Sequence, residues 1–82
     1  MIKYYKNLNE FEGDLVKYKG KNFVNGDKIE NVLFTENDFP CFLIEFKGTL
    51  RIFDRMSVSY FNNLEDDFKE FVKENKLIEN FK

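Results

Sequence analysis

The chain has no histidine, tryptophan, alanine or glutamine, and only one cysteine and one proline. Without histidine there is no imidazole to serve as a triad base, a metal ligand or a general base near neutral pH. Cys41 stands alone, so no internal disulfide forms and a cysteine-rich metal site is excluded. It also lacks a histidine to activate it, and between Pro40 and Phe42 it reads as a small buried hydrophobe. Single-cysteine usage suits a reducing cytoplasm. No apolar run approaches the ~18 residues of a membrane span. Met1 to Lys6 has no apolar core of a signal peptide. Gly13, Gly20, Gly26 and Gly48 are spaced as turns, not as a phosphate-binding loop. The expectation is a cytoplasmic protein with no cofactor, no metal, no membrane contact and no catalytic residue.

What is present is aromatic mass and charge. Eleven of 82 residues are phenylalanine. A single domain of this size, residues 1–82, buries only somewhat over ~60% of its unfolded surface, and rings that bury ~150–250 Å2 each make a core without disulfides feasible. Thirteen basic and 15 acidic residues leave a net charge of −2, which argues against broad capture of nucleic acid by a basic face. Abundant Lys, Asn, Phe, Glu and Ile beside absent Ala form the residue set of an AT-rich genome, such as that of a low-GC bacterium or its phage.

The pattern predicts a run of short strands followed by one helix. Strands are expected at residues 2–6, at Leu15–Lys19, around Phe23-Val24, at 28–36, at 41–47 and at 50–58. Asn25-Gly26 signals a type I′ hairpin turn. Pro40, without an N–H, belongs at a strand start or edge. For the pair 41–47 and 50–58, a three-residue loop at Lys47-Gly48-Thr49 puts Phe42, Ile44, Phe46, Leu50, Ile52, Met56 and Val58 on one face and Glu45 opposite Arg51. A two-residue loop would instead pair Phe46 with Thr49 and Ile44 with Arg51; the first register keeps the faces cleaner. Asp54 then lies on the apolar face, so either the strand bends there or Asp54 has a partner. Asn62-Asn63 caps a helix near 63–75, with Glu65, Asp66 and Asp67 in its first turn and Leu64, Phe68, Phe71 and Val72 as the buried stripe. Residues 76–81 read as a final short strand or an extension over the core.

Glu12-Gly13-Asp14-Leu15-Val16-Lys17-Tyr18-Lys19-Gly20 resembles the first strand of SH3-like barrels, including small phage proteins of that kind. The resemblance implies a small curved sheet; with the strand and helix pattern, the expected fold is an α+β domain with an SH3-like antiparallel meander of about five strands and the helix at its C-terminal end. It transfers no functional residue: those grooves are usually marked by aromatic pairs and often by a tryptophan, and this chain has no tryptophan.

Two surfaces are candidates for a partner. Glu65, Asp66, Asp67, Glu70 and Glu74 face two lysines on the expected helix, about −3 in charge, enough to dock a basic partner or simply to solvate a helix face. Phe39 and Phe61 lie at element boundaries, where a ring in a charged rim makes an interface hot spot, although core burial is the commoner fate of such rings. The alternative surface is Tyr4, Tyr5, Lys17, Tyr18 and Lys19, in which tyrosines stack bases and lysines meet phosphate; the same residues also suit the edge of a small sheet. Carboxylates acting alone, at Glu36, Asp38, Glu45 or Asp54, are the remaining route to catalysis. The sequence favours a non-enzymatic module that binds a protein partner, of the kind a phage or mobile element uses to occlude a bacterial defence protein. An SH3-like or OB-like nucleic-acid binder is the alternative, and a homodimer through unpaired sheet edges is open.

Overall fold

The computed structural model describes residues 1–81 and shows an α+β domain built on a three-stranded antiparallel sheet. The strands are β1 (Ile2–Tyr5), β2 (Cys41–Phe46) and β3 (Thr49–Asp54), with β2 in the middle. Cys41, Phe42, Leu43 and Ile44 are all buried. A continuous apolar run of this kind has no alternation to exploit, because both faces of the strand are covered.

One face of the sheet carries Tyr5, Cys41, Leu43, Leu50 and Ile52, and packs against an N-terminal layer. That layer consists of α1 (Leu8–Leu15), a 3-10 turn at Val16–Tyr18, and the irregular stretch to Pro40. Asn7 caps α1 by accepting the Glu10 N–H at 2.9 Å, and Phe11 drives the helix onto the sheet. Gly13 sits inside this helix at a cost of about 0.5–1 kcal/mol, so packing rather than propensity holds it. Phe11, Phe34 and Phe39 form an edge-to-face and tilted trio with centroids 5.1–5.6 Å apart, and Tyr5 joins at 5.2 Å.

The opposite face carries Tyr4, Phe42, Ile44, Phe46 and Phe53, and packs against a C-terminal layer. Here α3 (Asp66–Glu74) buries Phe68 and Val72, and a 3-10 turn at Leu77–Phe81 folds back to set Phe81 against Tyr4, Phe42 and Phe53. Between β3 and α3 lie α2 (Arg55–Ser59) and a 3-10 turn at Phe61–Asn63.

Several expectations need correction. The sheet has three strands, not five. Residues 15–19 are not a strand: Leu15 ends α1, and the segment that carried the SH3-like resemblance is largely helical. Residues 28–36 hold a 3-10 turn at Ile29–Asn31 and an extended piece with no ladder. The two turns exchange their expected types. Lys47 and Gly48 both have positive φ, 52° and 78°, so this is the two-residue I′ turn. At 23–27 only Gly26 has positive φ, and Val24-Asn25-Gly26 forms the three-residue loop. The register follows the I′ turn: Phe46 pairs with Thr49, Ile44 with Arg51, and Phe42 with Phe53. The expected register assumed one wet face, and with both faces buried that criterion has no force. Strand β3 stops at Asp54, and α3 starts at Asp66 because Leu64 is extended. Two further helices, α1 and α2, accompany it, and residues 77–81 form a 3-10 turn rather than a strand.

Candidate functional site

Asp54 explains both its own position and the next element. Its carboxylate accepts the Ser57 N–H at 2.9 Å and the Ser57 hydroxyl at 3.2 Å, so it is the N-cap of α2 and ends the strand. This short helix turns Val58 inward onto the C-terminal core and leaves Arg55, Met56 and Tyr60 outside. Met56 is 63% and Tyr60 58% exposed, and Arg55 has no ion-pair partner among the described residues. The three border a cleft of 410 Å3 whose far wall is Asn37 and Asp38. Asp38 is anchored there, its carboxylate accepting the Thr35 N–H at 2.9 Å and hydroxyl at 3.0 Å. Arg, Met and Tyr are the residue types enriched in interface cores, and a cleft with a fixed polar wall gives such side chains something to orient against. The sequence hid this surface because Met56 and Val58 alternate like a strand; the signal was Asp54 followed three residues later by Ser57.

The acidic helix is largely charge-compensated. Arg51 lies on the sheet beneath it, its guanidinium 3.9 Å from the Phe68 ring centroid, and donates two parallel bonds to Glu65 at 2.8 and 2.9 Å. That pair, its hydrogen bonds foremost, holds the Glu65 carboxyl below its usual range. Lys47 of the I′ turn bonds Asp67 and lowers its carboxyl likewise. Asp66 meets Lys69 at 3.4 Å. Glu70 and Glu74 alone of the five have no ion-pair partner among the described residues. Phe39 is 7% exposed inside the N-terminal core. Phe61 is half-buried, with the Lys73 ammonium 5.8 Å from its centroid.

The tyrosines and lysines do not form one platform. Tyr4 and Tyr5 are neighbours on a strand and so point to opposite faces: Tyr4 packs on Phe42, while Tyr5 is buried against Phe11. Tyr5 donates its hydroxyl to Asp14 at 2.9 Å, and Lys3 and Lys17 bond the same carboxylate. Lys3 first, then Lys17 and Tyr5, pull the Asp14 carboxyl far below its ordinary range, while burial and then Asp14 raise the Tyr5 phenol. Tyr18 is half-buried with its hydroxyl on the Met1 sulfur, and only Lys19 of the set is exposed without a partner among the described residues.

Cys41 is fully buried, and burial, with smaller contributions from Asp54 and Asp38, pushes its thiol up to about 12. It stays protonated at neutral pH and acts as a packing residue. Asp38 and Asp54 both border the α2 cleft, whereas Glu45 lines a 510 Å3 cleft by the 23–27 turn and Glu36 lies near Lys6 and Asn7. Among the described residues no three metal-ligating side chains cluster, and no helix is long and apolar enough to cross a membrane. Comparison with protein families, with curated proteins and with solved structures finds no match.

Proposed function

We propose that the domain is a non-enzymatic module that binds a larger protein and occludes part of its surface. The observation that carries the reading is the exposed Arg55 and Met56 on α2 and Tyr60 at its C-cap, set around a cleft whose other wall is fixed by Asp38 and Thr35. Occlusion needs area and a few anchoring side chains, not a reactive group, and here an exposed Arg, Met and Tyr converge on a concave surface. Phe61 follows Tyr60 directly, with the Lys73 ammonium of α3 5.8 Å from its ring centroid, and Glu70 and Glu74 of the same helix have no ion-pair partner among the described residues. A rim charge of that kind tunes association rate more than affinity. The small size and low-GC residue set fit a phage or mobile-element inhibitor that acts in the cytoplasm on a bacterial defence protein.

The test is binding to a partner captured from a low-GC bacterial host and then purified. Tyr60→Ala is expected to weaken that binding roughly tenfold or more, as a hot-spot truncation does. Glu70→Lys is expected to change it roughly threefold or less, as rim charges do. Full affinity in Tyr60→Ala and Met56→Asp together would remove α2 from the account.

A further inference from the structure

A second surface lies on the N-terminal layer, built from residues that the α2 cleft does not use. Leu15, Val16, Lys19, Ile29, Glu30 and Val32 line a groove of 340 Å3. Val16 is 73% exposed, and Leu33, the residue after Val32, is 91% exposed, the two highest values among the large apolar side chains. Scattered exposed leucines need no explanation, but here Val16 lines an apolar groove and Leu33 directly follows Val32, another of its lining residues.

The charges at this groove are one cation and one anion. Neither Lys19 nor Glu30 has an ion-pair partner among the described residues, although Lys3, Lys17, Lys47, Arg51 and Lys69 all do. In a twofold contact a patch meets itself, so that residue i faces residue j and j faces i. An apolar floor carrying one free cation and one free anion is therefore complementary to its own copy, whereas a patch of one sign repels itself. The other route to self-association is weaker. The two edge strands of the sheet, β1 and β3, run only four and six residues, and short edges are a poor template for pairing with another chain.

We propose that the groove between α1 and the Ile29–Asn31 turn is a contact between two copies of this chain, with Lys19 of each facing Glu30 of the other. The pair would carry two α2 surfaces, and so would bind a repetitive or dimeric partner with avidity.

Analytical ultracentrifugation across low-micromolar to millimolar concentrations tests this. The wild-type chain is expected to move from monomer to dimer mass. Lys19→Glu and Glu30→Lys, each alone, are expected to weaken the dimer at least about tenfold, because every cross-contact then sets like charges together. An equimolar mixture of the two variants is expected to recover the dimer, since each contact again joins opposite charges. Leu33→Asp, at a side chain almost free of contacts, is expected to hold the chain monomeric with an unchanged thermal midpoint. Monomer mass for the wild type at every concentration overturns the proposal. So does a dimer indifferent to Lys19→Glu and Glu30→Lys, or a mixture that stays monomeric.

Discussion

The two layers that sandwich the sheet are built in opposite ways. The C-terminal layer is a regular amphipathic helix whose N-terminal acids are paired: Glu65 with Arg51 of the sheet, Asp67 with Lys47 of the I′ turn, and Asp66 with Lys69 of the helix itself. The N-terminal layer is a short helix with a glycine inside it, then some twenty residues held by isolated turns and single bridges, with Val16 and Leu33 facing water. Both contain one fully buried anchor ring, Phe68 on one side and Phe11 on the other. The difference is therefore not in whether a core exists but in what surrounds it. A face whose polar groups satisfy one another has little left to offer a partner, whereas a face with unpaired apolar and charged groups does.

The largest expected effect probes the anchors. Phe68→Ala is expected to cost about 3–5 kcal/mol in denaturant unfolding, and Phe11→Ala a similar amount. The comparison predicts where the losses appear. Phe11→Ala should loosen residues 19–40 before the rest, seen as selective NMR line broadening there, while Phe68→Ala should weaken the whole domain. Equal, uniform loosening in both variants would erase the distinction.

A smaller effect tests the inward-turned charges. Arg51→Met removes the fork to Glu65 and the stacking on Phe68, and is expected to cost roughly 1–2 kcal/mol. Asp54→Ala removes the cap of α2 and is expected to cost about 1 kcal/mol, measured by thermal unfolding. Because α2 carries the exposed Arg55 and Met56, with Tyr60 at its C-cap, this variant should also weaken partner binding without touching the partner. The carboxyls of Asp14, Glu65 and Asp67 are lowered in the folded state. The stability they contribute is therefore present above the ordinary carboxylate range and lost as pH falls through and below it. The thermal midpoint is expected to decline from about pH 5 downwards, with a shallower decline in Arg51→Met. At the alkaline end the sign reverses. Tyr5 and Cys41 are raised, so stability falls as pH rises beyond the ordinary range of the free groups, and Cys41 should resist alkylation at pH 8 until the chain unfolds.

The same contrast explains what the sequence made legible. The stripe Leu64, Phe68, Phe71, Val72 has the helical period, and α3 forms where the pattern puts it, within three residues at its start. The hairpin of β2 and β3 was equally plain, and Pro40 does precede the first residue of β2. The register was not legible, because Cys41 to Ile44 is apolar throughout and alternation cannot tell two buried faces apart. In the N-terminal layer, Leu15, Val16 and Tyr18 carry residue types common in strands, but the packing of Leu15 and Tyr18 against the N-terminal core overrides that preference. Of the candidate site residues, Tyr4 and Tyr5 were one pair in the sequence and stand on two faces in the fold. Arg55, Met56 and Tyr60 do not stand out in the sequence, because Asp54 sits within an alternating run that reads as strand although it is the residue that ends one.

Native-state hydrogen exchange, read amide by amide, tests the account's central claim most directly. It should resolve one rigid unit, β2 with β3 and α3, whose slowest amides exchange only by global unfolding. Residues 19–40 should exchange through local openings at least about tenfold faster, since irregular, sparsely bonded segments open at lower free energy. If residues 19–40 are protected as strongly as α3, the two layers are equivalent in stability, and the contrast between a regular and an irregular layer fails.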